Sequence, residues 1–218
     1  MLDDGDDGLL TAALRALGAG GTGEADGPYQ EDLRHRPLHV VPALSACRRV
    51  LYTTKVDWLV DVLGWPDGAP DDVALLWRWS PVGRAHGPTL RAAVEALRAP
   101  LVFVGDLDPL DLATFSTLAR ALDGLPVRYA GVGDPWIALC ERHLASGTTL
   151  RELCTAMSEP ERAALRQADA IGLGWAALAG PRGAALFESG VKLELEAASN
   201  PAYFSPALAG ELARLILD

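Results

Sequence analysis

From Arg49 onward the chain alternates short apolar, β-branched or aromatic runs with segments whose apolar residues recur every three or four positions. That alternation restricts the fold more than any other feature, because it is the pattern of βαβ units and a parallel sheet. The first run, Val50-Leu51-Tyr52-Thr53, precedes a predicted helix from Val56 to Leu63, with Val56, Leu59, Val60 and Leu63 on one face. The second, Val73 to Trp77, is followed by a loop at Ser80 to Gly87 and a helix from Thr89 to Leu97. The third, Leu101 to Val104, ends in Gly105-Asp106-Leu107-Asp108-Pro109 and leads to a helix reaching Leu122. The fourth, Val127 to Val132, passes through Gly133-Asp134-Pro135 into a helix from Trp136 to about Ala145. Four such units in a row predict an α/β fold with a compact doubly wound, mostly parallel four-stranded sheet.

The flanks read differently. Residues 1–37 are expected to be an appendage: an acidic start, two helical turns over Leu9 to Leu17, and a connector with five glycines between Gly18 and Gly27. Residues 38–147 form the α/β core, and 148–218 a helical extension packed on it. In that extension Thr149 and Ser158 suit N-caps, and Glu161 completes a capping-box pattern with Ser158. The stretch Gly190 to Ala197 fits two patterns. Val191, Leu193, Leu195 and Ala197 alternate as in a strand, while Glu188, Lys192 and Glu196 share a helix face; helix is the favoured expectation.

A chain of 218 residues is long enough for one full core, and 50% hydrophobic with 22% charged residues is a globular balance. The formal net charge of −10 repels phosphate backbones, so nucleic acid would be met only through a local site, and a protein partner in a larger complex is the more natural expectation. No apolar stretch has the length of a membrane span and no secretory leader is evident, which points to the cytoplasm and away from membranes. Cys47, Cys140 and Cys154 lack the spacing of a zinc site or disulfide framework and are expected as buried thiols.

Ligands of doubly wound sheets bind outside the carboxyl ends of the strands, and the third run delivers Asp106 and Asp108 there. Two carboxylates two residues apart at a strand end can share one hard cation, and Mg²⁺ is commonly held by one or two carboxylates with water and substrate phosphate. Asp108 before Pro109 equally fits an N-cap followed by proline at the first helical position. Arg84 and His86, in the loop after the second run, are candidates for contact with a phosphate at the site edge, with Asp111 also nearby, although a solvated loop with an ordinary arginine and histidine is the commoner outcome for such a stretch. No P-loop follows any strand and there is no Gly-x-Ser-x-Gly elbow, which removes P-loop nucleotide binding and serine hydrolase chemistry.

The segment LVFVGDLDPLDLATFSTLARAL, Leu101 to Leu122, resembles the Gly-Asp-x-Asp strand end and following helix of Toprim domains, found in topoisomerases, primases and the topoisomerase VI A subunit. Within that group it is most similar to the C-terminal Toprim-like domain of the Wadjet plasmid-defence nuclease subunit, which ends with a helical Arg-Leu-Glu-Gln-Glu motif. Lys192-Leu193-Glu194-Leu195-Glu196 sits at the matching place. The resemblance spans roughly Arg49 to Ala198 and implies Mg²⁺ at Asp106 and Asp108 and phosphodiester chemistry on DNA. Two departures stand against activity. The glutamate of the family's first strand is replaced by Tyr52-Thr53-Thr54-Lys55, with Asp57 one helical turn further on, and Asp111 stands where the family favours glycine. The resemblance therefore implies a degenerate Toprim-like domain, a binding or assembly module of a nucleic-acid-related or defence system without a metal, with an active Mg²⁺-dependent nuclease as the alternative.

Overall fold

A computed structural model of the chain describes residues 10, 13, 14, 38–65, 70–78, 86–200 and 202–218. Arg84 and most of the loop after the second run lie outside the described residues. The main sheet holds β1 (His39–Val41), β2 (Arg49–Thr53), β3 (Val73–Trp77), β4 (Leu101–Val104) and β5 (Val127–Tyr129), in the order β1-β3-β2-β4-β5. Strands β3, β2, β4 and β5 are parallel, as the four runs predict. The sheet has five strands rather than four because β1 pairs antiparallel with β3 at the edge. With only three residues, two of them exposed, β1 offers too little apolar pattern to be told from a loop in sequence.

Successive side chains in a strand point to opposite faces, so an all-apolar run must be covered on both. Leu51, Val73, Leu75, Val102 and Val104 face a core built with α1 (Val56–Leu63), α4 (Asp134–His143) and α7 (Ala207–Leu217). Val50, Tyr52, Ala74, Leu76, Leu101 and Phe103 face a second core with α2 (Gly87–Leu97) and α3 (Pro109–Ala121). The chain steps from β2 to β3 in one direction across the sheet and from β3 to β4 in the other. Crossovers of one hand then require α1 and α2 to lie on opposite faces, as they do.

The C-terminal region adds α5 (Glu159–Ala170) and α6 (Trp175–Glu188). Ser158 caps α5 through the expected box: its side chain accepts from the Glu161 amide and Glu161 accepts from the Ser158 amide. Thr149 forms a second box with Glu152 at a short 3-10 turn, Leu150–Leu153. The favoured helix over Gly190 to Ala197 does not form. Val191–Lys192 is instead a strand, β7, antiparallel to β6 (Thr155–Ala156), followed by a 3-10 turn at Leu195–Ser199. Burial decides the matter: Leu193 and Leu195 both enter the core, a period of two that a helix face cannot supply. Near the start of the chain, Leu10 and Leu14, one helical turn apart, are buried in a third cluster with Leu112, Ala164, Ala168 and Trp175. Among the described residues no helix is long and apolar enough to cross a membrane. All three cysteines are free thiols, Cys140 buried and the other two half-buried.

Candidate functional site

In the observed order β2 has β3 on one side and β4 on the other, so the chain's direction of travel reverses between β2 and β4. A doubly wound sheet opens its ligand crevice at such a point, beyond the carboxyl ends of those two strands. Thr53-Thr54-Lys55 leaves β2 there, and Gly105-Asp106-Leu107-Asp108 leaves β4.

Asp106 is 2% exposed and both of its carboxylate oxygens are engaged. Oδ1 accepts from the Leu195 amide at 2.7 Å, and Oδ2 lies 3.0 Å from the Lys55 ammonium. The same ammonium lies 2.8 Å from Glu196 Oε1. Lys55 precedes the first residue of α1, and its own amide donates to Thr53 Oγ1 at 3.0 Å, which fixes the turn that aims the side chain into the crevice. Burial and neighbouring Asp108 push the Asp106 carboxyl up to about 7, against the pull of Lys55 and the Leu195 amide. Burial works against the Lys55 charge, but Asp106 and Glu196 outweigh it and hold the ammonium protonated.

Asp108 is the N-cap of α3: its Oδ1 accepts from the Asp111 amide at 2.8 Å, and Pro109 opens the helix. The capping reading of Asp108-Pro109 is thus what the geometry contains. Asp111, itself buried, turns back across the crevice. It accepts from the Asp106 amide at 2.7 Å and from the Thr54 hydroxyl, 2.9 Å from Oδ1, and so ties the end of β2 to the end of β4. Room for this contact comes from Gly105, where a Cβ would stand 2.6 Å from Asp111 Oδ2 and from the Phe103 ring. Burial, with Asp108 and Asp106 beside it, raises the Asp111 carboxyl well above the usual range. Asp108 is raised too, chiefly by burial, while Lys192 favours its ionised form.

The mouth of the crevice is occupied by the chain's own C-terminal region. The Leu107 amide donates to Leu193 O at 2.9 Å in an antiparallel bridge, and Leu193 and Leu195 are buried in the core between the strand ends and the helices. Lys192, 3% exposed, pairs at 2.9 Å with Glu161, the capping residue of α5. Leu193 to Glu196 therefore lies where a doubly wound fold would seat its ligand.

The structure brings Asp106, Asp108 and Asp111 together, as the sequence reading placed them, but their oxygens do not converge on a common point. The residues do not fit a divalent cation as found: an ammonium holds the position beside Asp106 Oδ2, Asp108 is turned to cap α3, and Asp111 is spent on Thr54 and the Asp106 amide. Among the described residues no group of three or more His, Cys, Asp or Glu is placed to hold a metal ion. Asp57 is exposed on the first turn of α1. His86, at the start of α2, lies beside the fully buried Arg78, with His86 Nδ1 3.5 Å from Arg78 Nη1.

No protein-family model and no curated protein matches the chain. The site must be read from its own geometry.

That geometry assigns weight to residues the sequence reading passed over. Lys55 and Thr54 stood out only as part of a stretch, Tyr52 to Lys55, in which an acid was expected, and Glu196 only as the end of the Lys192 to Glu196 motif. A reversal of sign opposite two aspartates was the available signal, since a lysine at the end of one strand facing an aspartate at the end of its neighbour is placed to pair with it. Glu196 lies 141 residues from Lys55 in sequence and has no comparable local cue.

Proposed function

We propose that the chain is a Toprim-like domain that no longer cleaves phosphodiesters and works as a binding or assembly module in a nucleic-acid-related or defence system. The observation that carries this reading is the filled crevice. The position a metal and a phosphate would need is taken by the Lys55 ammonium and by Leu193 to Glu196, which the core holds through Leu193 and Leu195. A phosphodiester substrate would have to displace both, and the acidic surface field opposes its approach. A protein partner with a basic face fits the net charge of −10 better than a nucleic-acid backbone does.

Incubation of the purified protein with supercoiled plasmid in millimolar Mg²⁺ or Mn²⁺ tests the reading. The expected rate of nicking equals that of the Asp106→Ala, Asp108→Ala double variant. Metal-dependent nicking that the double variant loses would overturn the proposal in favour of an active nuclease.

A further inference from the structure

We propose that Lys55 is an internal substitute for a divalent cation, and that the crevice is a metal site closed by its own ammonium, which removal of the Lys55 side chain reopens. The inference rests on the reading of the domain as degenerate and goes beyond it, since it names what closed the site and how to reverse the change.

Two carboxylates from distant parts of the chain, Asp106 after β4 and Glu196 in the C-terminal 3-10 turn, place Oδ2 and Oε1 within 3.0 Å and 2.8 Å of one nitrogen atom. Mg²⁺ binds oxygen at about 2.0–2.1 Å and usually keeps several waters, so two carboxylates facing one small volume are a sufficient protein contribution. Asp106 is already oriented for this, because its other oxygen is fixed by the Leu195 amide at 2.7 Å. Leu195 is fully buried, so that amide is itself held in place by the core. What keeps a metal out is the ammonium, which fills the volume and adds like charge at the position a metal would take. Lys55 is anchored at the head of α1 by the bond from its amide to Thr53, so its side chain enters the crevice from the β2 side. Tyr52-Thr53-Thr54-Lys55 stands where the Toprim resemblance expects a glutamate, so a stretch that would supply a ligand supplies a cation instead.

The experiment is a Mn²⁺ titration followed by electron paramagnetic resonance of free Mn²⁺, on the full chain and its variants. Unmodified protein and Lys55→Met, which keeps the length of the side chain without its charge, are expected to show no saturable binding that depends on Asp106. Lys55→Ala is expected to bind one Mn²⁺ saturably and weakly, as suits a site with two protein carboxylates and several retained waters. Adding Asp106→Asn to it should abolish that binding. If Lys55→Ala is unfolded without metal, its refolding is the readout: recovery of the folded state in Mn²⁺, lost in the double variant, supports the proposal, and no recovery counts against it. Saturable Mn²⁺ binding by the unmodified protein that Asp106→Asn removes overturns the inference, as does a folded Lys55→Ala that binds none. Neither result depends on cleavage, so plasmid nicking by the unmodified protein would sink the degenerate reading separately.

Discussion

Asp106 has one oxygen on a backbone amide and the other on an ammonium, yet burial and Asp108 still raise its carboxyl to about 7. Asp108 and Asp111 are raised in the same direction. A carboxyl whose folded value lies above its unfolded one holds its proton longer in the native state. Its contribution to stability is therefore fully present below the unfolded value of 3.8 and is lost as pH rises through about 7. Urea unfolding between those limits checks this. The stability of the unmodified protein relative to Asp106→Asn is expected to fall as pH rises, by at most about 1.4 kcal/mol per pH unit for each proton. A flat difference would show that Asp106 ionises in the native state as easily as in water, and one that rises with pH that it ionises more easily; either contradicts the raised carboxyl. Part of this site was legible from sequence. Asp-x-Asp after a four-residue apolar run located Asp106, and Asp108-Pro109 announced its cap. The partners of Asp106 were not legible, because the contacts with Leu195 and, through Lys55, with Glu196 join residues about ninety positions or more apart in the chain.

Among the elements, β2, β3 and β4 were legible almost to the residue because each is a continuous apolar run buried on both faces, flanked by segments with helical periodicity. The capping box at Ser158 was legible because it is wholly local. The segment from Gly190 to Glu196 was misread because its charges and its apolar residues carry different periods. Glu188, Lys192 and Glu196 keep helical spacing without forming a helix face: Lys192 goes to Glu161 and Glu196 to Lys55. The apolar period decided the outcome, since Leu193 and Leu195 supply buried area, Lys192 is itself buried against Glu161 from the strand, and the exposed pair of Glu196 with Lys55 contributes little. Leu195→Ala is accordingly expected to destabilise the protein by about 2–5 kcal/mol, the range for a buried leucine that leaves a cavity. It should also speed hydrogen exchange at the Leu107 and Leu195 amides, whose acceptors belong to the same closure. A loss under about 0.5 kcal/mol, the size of a surface effect, would mean that this segment is laid over the core rather than built into it.

For the whole molecule, the two faces of the sheet and the reversal of strand order at β2 bring the ends of β2 and β4 together, and the C-terminal region closes the crevice that results. The third apolar cluster extends this enclosure, since Leu10 and Leu14 pack against α3, α5 and α6. The crevice thus lies where a doubly wound sheet offers a ligand site, and it is filled by the chain's own internal contacts. A crystal of the unmodified protein grown in Mn²⁺, with an anomalous difference map recorded at the manganese edge, addresses this most directly. No manganese peak is expected at Asp106 or Asp108, with the Lys55 ammonium against Asp106 Oδ2 and Leu193 to Glu196 in the crevice. A manganese peak bridging Asp106 and Asp108, with Lys55 displaced, would contradict that expectation.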